Sequence, residues 1–193
     1  MKITTYNVKG GVGKTDISLN LALTLEYGII TNEPFSPLDT VLSEENFLKL
    51  NPGDKLPKLP KDADIVFDFG GYLDKRVIEA LKQSDIVVVP VINEFKDLHT
   101  TINFLQEIED YNKNIIIVVN RAQKGDYESV CEAMKSFYSY PVFEIKTTRA
   151  LPNIMKEKKS VKEMVKEGGL KAWNYKAVSQ QFDKIIEKIF NTI

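Results

Sequence analysis

The chain holds one cysteine and one histidine in 193 residues, and each scarcity removes a class of chemistry. One thiol cannot close an intrachain disulfide or build a thiolate metal cluster. Cys131 falls in a segment of helical period, Asp126 to Tyr138, where a buried or half-buried structural thiol is expected. His99 has no partner at metal-ligand spacing and reads as a surface or structural residue. No apolar run approaches the roughly 20 residues that cross a bilayer. The N-terminus "MKITTYNV" passes directly into a β-rich run, without the charged region and apolar core of a secretory signal. An excess of either charge is also missing, since 26 Lys+Arg face 27 Asp+Glu for a formal net charge of −1. The global field therefore neither attracts nor repels nucleic acid, and an anionic partner needs a local patch. These absences lead us to expect a cytoplasmic protein.

What is present is a 43% apolar composition, enough for one domain over residues 1–193 to build a core without disulfides or metals. Short β-branched runs alternate with longer segments of helical period. "KITTYNV" precedes a helix over Asp16 to Tyr27; "GIIT" follows; "ADIVFDF" precedes Lys75 to Lys82; "DIVVVPV" precedes Leu98 to Ile108; "NIIIVVN" precedes Tyr127 to Phe137; then come "VFEI" and a last helix from about Lys171. Runs such as "DIVVVPV" and "NIIIVVN" are apolar at successive positions, as parallel strands covered on both faces should be. The expected fold is α/β, a doubly wound, mostly parallel sheet with helices on both faces. One long connection, Glu33 to Asp62, carries Pro34, Pro37, Pro52, Pro57 and Pro60, with room for one short helix in "DTVLSEENFLKL".

The segment "YNVKGGVGKTD" stands between the first strand and the first helix. It is close to the phosphate-loop pattern G-x-x-x-x-G-K-[ST], except that Val8 occupies the first glycine position and Lys9 follows it. Gly10, Gly11, Val12 and Gly13 would turn backbone N–H groups toward phosphate oxygens at the positive end of the following helix. Lys14 should reach the β- and γ-phosphates, and Thr15 should ligate Mg²⁺. A second strand, "ADIVFDFGG", ends on Asp68, placed as a Walker B carboxylate that would complete the Mg²⁺ site.

The run "KGGVGKT" resembles the deviant Walker A signature, K-G-G-x-x-K-[ST], of the ParA/MinD superfamily of P-loop ATPases. The resemblance extends over nearly the whole chain. "NLALTLEYG" is similar to the family's first helix, "ALKQSDIVVVPVINE" to its fourth-strand region and "KEKKSVKEM" to the segment before its final helix. It implies an ATP-dependent homodimer in which Lys9 crosses to the partner's phosphates, in the manner of an arginine finger. ATP and Mg²⁺ are the implied ligands. Asn120 matches the family's adenine-contacting asparagine, and Gln123 stands where a guanine-specific N-K-x-D would have its aspartate.

Several positions depart from the family pattern. Thr31 and Glu33 in "TNEPF" stand where the family has the two aspartates of D-x-D-P-Q, so Glu33 becomes the water-orienting residue, one methylene longer. Misplacement on the order of 1 Å can cost roughly 100-fold in rate, and slow hydrolysis is expected. Asp16 replaces a hydroxyl residue beside the α-phosphate, which implies modest nucleotide affinity. Gly70-Gly71 replaces a Pro-Pro pair and should loosen the loop that follows the second motif strand.

Residues 156–171 hold six lysines and three glutamates, and ParA-like proteins bind nucleoid DNA through a basic surface near this end. Arg149, Lys156, Lys158 and Lys159 are the candidate contacts to non-specific DNA. The last helix carries an apolar stripe, Val178, Phe182, Ile185, Ile186, Ile189, Phe190 and Ile193, which suits packing on the sheet. In MinD-like relatives such a helix holds membrane, the alternative reading, with Lys184 and Lys188 facing lipid. A small metabolic ligase of the same fold is a further alternative. The reading as a whole is a ParA-like ATPase. It would position plasmid, chromosomal or other cargo with a ParB-like or other adaptor, and would sit on the nucleoid when ATP-bound.

Overall fold

The computed structural model describes residues 1–192. Strands β1 (Lys2–Asn7), β2 (Gly28–Thr31), β3 (Phe47–Lys49), β4 (Ile65–Gly70), β5 (Ile86–Val91), β6 (Ile115–Ala122) and β7 (Val142–Lys146) form one sheet in the order β3-β2-β4-β1-β5-β6-β7. Every neighbouring pair is parallel. The helices are α1 (Lys14–Leu25), α2 (Lys75–Gln83), α3 (Phe95–Glu109), α4 (Asp126–Lys135), α5 (Ala150–Glu157), α6 (Val161–Lys166) and α7 (Gly169–Phe190).

The period-2 geometry of strands divides the apolar runs between two cores. Ile86, Val88, Ile116 and Val118 face α1, α5, α6 and α7, where Ile17, Leu21, Ile154, Met164, Phe182 and Ile185 pack. Val87, Val89, Ile117 and Val119 face the other way, toward Val77, Leu81, Leu105, Ile108 and Val130 of α2, α3 and α4. A run that is apolar at every position is what two covered faces require.

The long connection holds no α-helix. It makes two 3₁₀ turns, Pro37–Thr40 and Glu44–Asn46, and then the edge strand β3, which no sequence pattern announces. Three residues are too short to show a period, and β3 is fixed by register with β2, Ile30 opposite Leu48. The segment 150–166 splits into α5 and α6, and α6 begins at a reciprocal cap. Ser160 Oγ accepts from the Glu163 N–H at 3.2 Å, and Glu163 Oε2 accepts from the Ser160 N–H at 2.7 Å.

The stripe on α7 is core: Val178, Phe182, Ile185 and Ile189 are buried, while Phe190 is exposed and Ile193 lies outside the described residues. That burial commits four residues of the stripe on which the membrane alternative relied to the core. Among the described residues no helix is long and apolar enough to cross a membrane.

Asn20 of α1, itself buried, ties the C-terminal helices to the centre, its Oδ1 accepting from the Val161 N–H at 2.8 Å. Replacing it with alanine strands a buried donor, and Asn20→Ala should lose about 1–3 kcal/mol in urea unfolding. A loss well below that range would mean that water reaches this N–H.

Candidate nucleotide site

The parallel order brings the C-terminal ends of β2, β4, β1 and β5 together, and β1 is where the connections change direction: α1 leads to β2 on one side, and α2 carries the chain across to β5 on the other. Crevices at such a switch point are where open α/β sheets take ligands. The loop 8–13 lies there. Gly11 (φ 79°) and Gly13 (φ 90°) are both left-handed. Gly13 is fixed a second way, because a Cβ on it would stand 2.1 Å from Asn120 Nδ2. No side chain caps the first turn of α1 among the described residues, so its N–H groups face the loop without a side-chain acceptor.

Asp68 is the centre of the site. Its carboxylate is fully buried, with Oδ2 accepting from Thr15 Oγ1 and Oδ1 from Ser18 Oγ, each at 2.9 Å. Burial pushes its carboxyl up to about 6, against the lowering pull of the two hydroxyls and of Lys14. Lys14 is buried as well, and desolvation lowers its pKa while Asp68 and Glu33 oppose that fall. Its Nζ donates to the Lys9 carbonyl at 2.9 Å. A hydroxyl and a carboxylate in contact, beside a buried ammonium and an uncapped helix start, form a donor set that fits a magnesium-bound polyphosphate.

Glu33 stands beside Gly70. A Cβ on Gly70 would meet Glu33 Oε1 at 2.5 Å and Lys14 Cε at 2.8 Å, so the three residues crowd one spot. Thr31 holds this arrangement, donating from Oγ1 to the Asp68 carbonyl at 2.9 Å and accepting from the Glu33 N–H at 3.1 Å. Asn32 grips Gly70 in both directions, Nδ2 to its carbonyl and Oδ1 from its N–H, each at 3.0 Å. Tyr6 adds a bond from its hydroxyl to the Gly71 carbonyl at 3.0 Å. Gly70 is thus required for close approach and is held firmly, contrary to the looseness expected of the glycine pair.

Asn120, the base contact that the family resemblance implies, makes two hydrogen bonds within the chain. It is buried, its Nδ2 donates to the Val12 carbonyl at 2.8 Å and its Oδ1 accepts from the Arg121 N–H at 2.9 Å. The side chain braces the loop, and a purine ring would have to compete with that bond. Asp16, half-buried, has its carboxyl raised by desolvation while the Arg121 charge pulls it down. Arg121 is left-handed (φ 55°) at a register irregularity between β6 and β7.

The basic residues lie at the two ends of α5. Arg149 precedes α5, while Lys156, Lys158 and Lys159 lie at its far end, about 10 Å away at 1.5 Å per residue. Arg149, Lys156 and Lys158 are exposed, but Lys159 is paired with Glu167, and Lys171 with Glu157 at 2.6 Å. Exposed His99 has only Asn103 as a side-chain hydrogen-bond partner among the described residues, and no metal-holding group of His, Cys, Asp and Glu occurs among them.

Sequence reading misses Ser18, Asn32 and Asp97. Ser18 lies three residues after Thr15 on one helix face, a spacing that could have found it. Asn32 and Asp97 act through strand and helix placements that no local pattern encodes.

No protein-family model and no curated protein matches the chain. Solved structures do. The chain is similar to a McdA variant from Cyanothece in complex with ATP (TM-score 0.67, 15% identity, 98% of this chain and 96% of that one). It is also similar to a plasmid partition protein from Borrelia burgdorferi bound to AMPPNP (0.62, 16%, 97% and 98%). A third likeness is to the MinC:MinD cell division complex of Aquifex aeolicus (0.65, 14%, 96% and 96%).

The buried Asp68 carboxylate sets a testable pH dependence. Its folded pKa lies above the ordinary 3.8, so the fold favours the protonated form, and stability is lost as pH rises from about 4 to about 6. That gap corresponds to roughly 3 kcal/mol at neutral pH. Asp68→Asn should therefore be more stable than the native chain at pH 7.5 by up to about 3 kcal/mol, with the difference closing toward pH 4. Urea unfolding at several pH values checks this, and a variant less stable at pH 7.5 would show that the two hydroxyls outweigh desolvation.

With the switch-point crevice, the glycine loop and the buried Asp68 in place, and with these likenesses spanning almost the whole chain, the protein has the fold of the ParA/MinD-type ATPases.

Proposed function

We propose that the chain is a ParA-like ATPase. It binds ATP with Mg²⁺, closes a two-fold dimer with Lys9 reaching the partner's nucleotide, and hydrolyses ATP slowly. The dimer holds DNA without sequence preference until an adaptor of ParB-like or other type stimulates release, so that plasmid, chromosomal or other cargo is moved or positioned. The carrying observation is the set Lys14, Thr15, Ser18 and Asp68 beneath an uncapped helix start. Likeness to one protein solved with ATP and another with AMPPNP supports the nucleotide class.

In this reading a bound metal would supply charge neutralisation. Thr15 and Asp68 would hold it, Lys14 would meet the phosphates, and Glu33, whose N–H is held by Thr31, would orient water. Dimerisation through this face is supported by Phe35, Tyr72 and Phe95, which are 96%, 93% and 85% exposed and follow β2, β4 and β5 on the same edge as the loop. Exposed aromatics gathered around one site are a feature of interfaces.

Lys14→Ala should weaken ATP binding by at least about 100-fold, measured by equilibrium titration; unchanged binding would remove the nucleotide assignment. Reversing Lys156 and Lys158 to glutamate should weaken binding to a random-sequence duplex and lower the log–log salt slope by about 1 for each phosphate no longer neutralised. Nucleotide affinity should stay as it was. Equal DNA affinity in the variant would move the DNA surface away from the end of α5.

A further inference from the structure

The loop lysine that the proposed dimer needs is already engaged within its own chain. Lys9 Nζ pairs with Asp97 Oδ1 at 2.9 Å, and the Asp97 side chain is only 13% exposed against 37% for Lys9. The pair closes a ring of bonds. The Lys9 N–H donates to Asn7 Oδ1 at 2.9 Å, Asn7 Nδ2 donates to Thr101 Oγ1 at 3.1 Å, and Thr101 Oγ1 donates to the Asp97 carbonyl at 2.8 Å. Asn7 Nδ2 also donates to the Pro90 carbonyl at 2.8 Å, and both Asn7 and Thr101 are buried. The ring joins the end of β1 to the first two turns of α3, so Asp97 is delivered to Lys9 by two rigid elements.

We propose that Asp97 is a positioning residue that holds Lys9 in cis and sets the threshold for dimerisation. This rests on the dimeric reading given above, in which Lys9 serves the partner's nucleotide. A lysine tied to its own α3 is not offered to a second copy, and it is released only when a stronger anion than one carboxylate competes for it. A polyphosphate in the partner is such an anion, which makes the ion pair a brake on nucleotide-free association. Asp97 fits a retaining role because it is mostly shielded, and a shielded carboxylate left without its cation is costly. Lys9 fits a transferable one because it is more than one-third exposed and sits on a glycine-rich loop.

The stoichiometry gives the effect a characteristic size. A partly exposed ion pair shifts an equilibrium by up to about fivefold, and a two-fold dimer must release two of them, so the dimer constant should move by up to about 25-fold.

The test uses the full chain with a non-hydrolysable ATP analogue and Mg²⁺, with mass followed against protein concentration by light scattering. Asp97→Asn should dimerise up to about 25-fold more tightly than the native chain, Asp97→Glu should restore the native constant, and high salt should narrow the difference. In a Lys9→Ala background Asp97→Asn should bring no gain. Urea unfolding of the nucleotide-free chain, run as a double-mutant cycle on Lys9 and Asp97, should show coupling of up to about fivefold in the equilibrium constant.

Equal dimer constants for the native chain and Asp97→Asn would overturn the proposal while leaving the dimer reading intact. So would absence of coupling in the cycle, or a gain that persists without Lys9. If neither the native chain nor Asp97→Asn dimerises with the analogue, the dimer reading itself fails and the brake falls with it.

Discussion

A carboxylate buried in the C-terminal half of β4 is the constraint around which the site is arranged. Asp68 has no exposure, and a charge there is held against desolvation by two hydroxyls and a neighbouring ammonium. Those partners come from α1, so the first turn of that helix must stand over the end of β4. The glycines of the loop and the bracing amide of Asn120 let β1 reach it. The Asp68 main chain serves as well, since its carbonyl anchors Thr31 and through Thr31 the Glu33 N–H. A residue whose buried carboxylate ties β4 to α1 and whose carbonyl ties it to the end of β2 is the kind of local conflict that functional sites carry.

The departures from the common phosphate-loop pattern have local consequences. Val8 and Lys9 replace a simple glycine entry, and Lys9 then has three attachments, its N–H to Asn7, its carbonyl to Lys14 and its ammonium to Asp97. The two lysines are coupled through one peptide. Thr31 and Asn32, where the family pattern has an aspartate and its neighbour, tie the second strand's loop to the fourth strand instead of presenting charge to solvent. The site is therefore compact, with the Glu33 and Lys14 side chains both closing on the space where a Cβ of residue 70 would stand.

Much of this is legible in the sequence because it is local. The glycine-lysine-threonine run, the apolar strand ending in Asp68 and the unbroken apolar character of β5 and β6 are short patterns with one physical meaning each. What escapes a sequence reading is set by distant pairings. Edge strand β3 is three residues long and exists only by register with β2. The hold of Asn32 on Gly70 depends on β2 lying beside β4, and the Lys9–Asp97 pair on β5 lying beside β1. The bond from the Asn120 amide to the Val12 carbonyl joins residues that are far apart in the chain. The basic run over residues 156–171 looks like one patch because sequence neighbours look close. Folding pairs Lys159 and Lys171 with glutamates.

The most direct measurement is equilibrium binding of ATP to the native chain at neutral pH, with and without Mg²⁺. A polyphosphate site built on Thr15 and Asp68 predicts saturable binding of one nucleotide per chain that weakens sharply when Mg²⁺ is withdrawn. No saturable binding, or binding indifferent to the metal, would contradict the account at its centre.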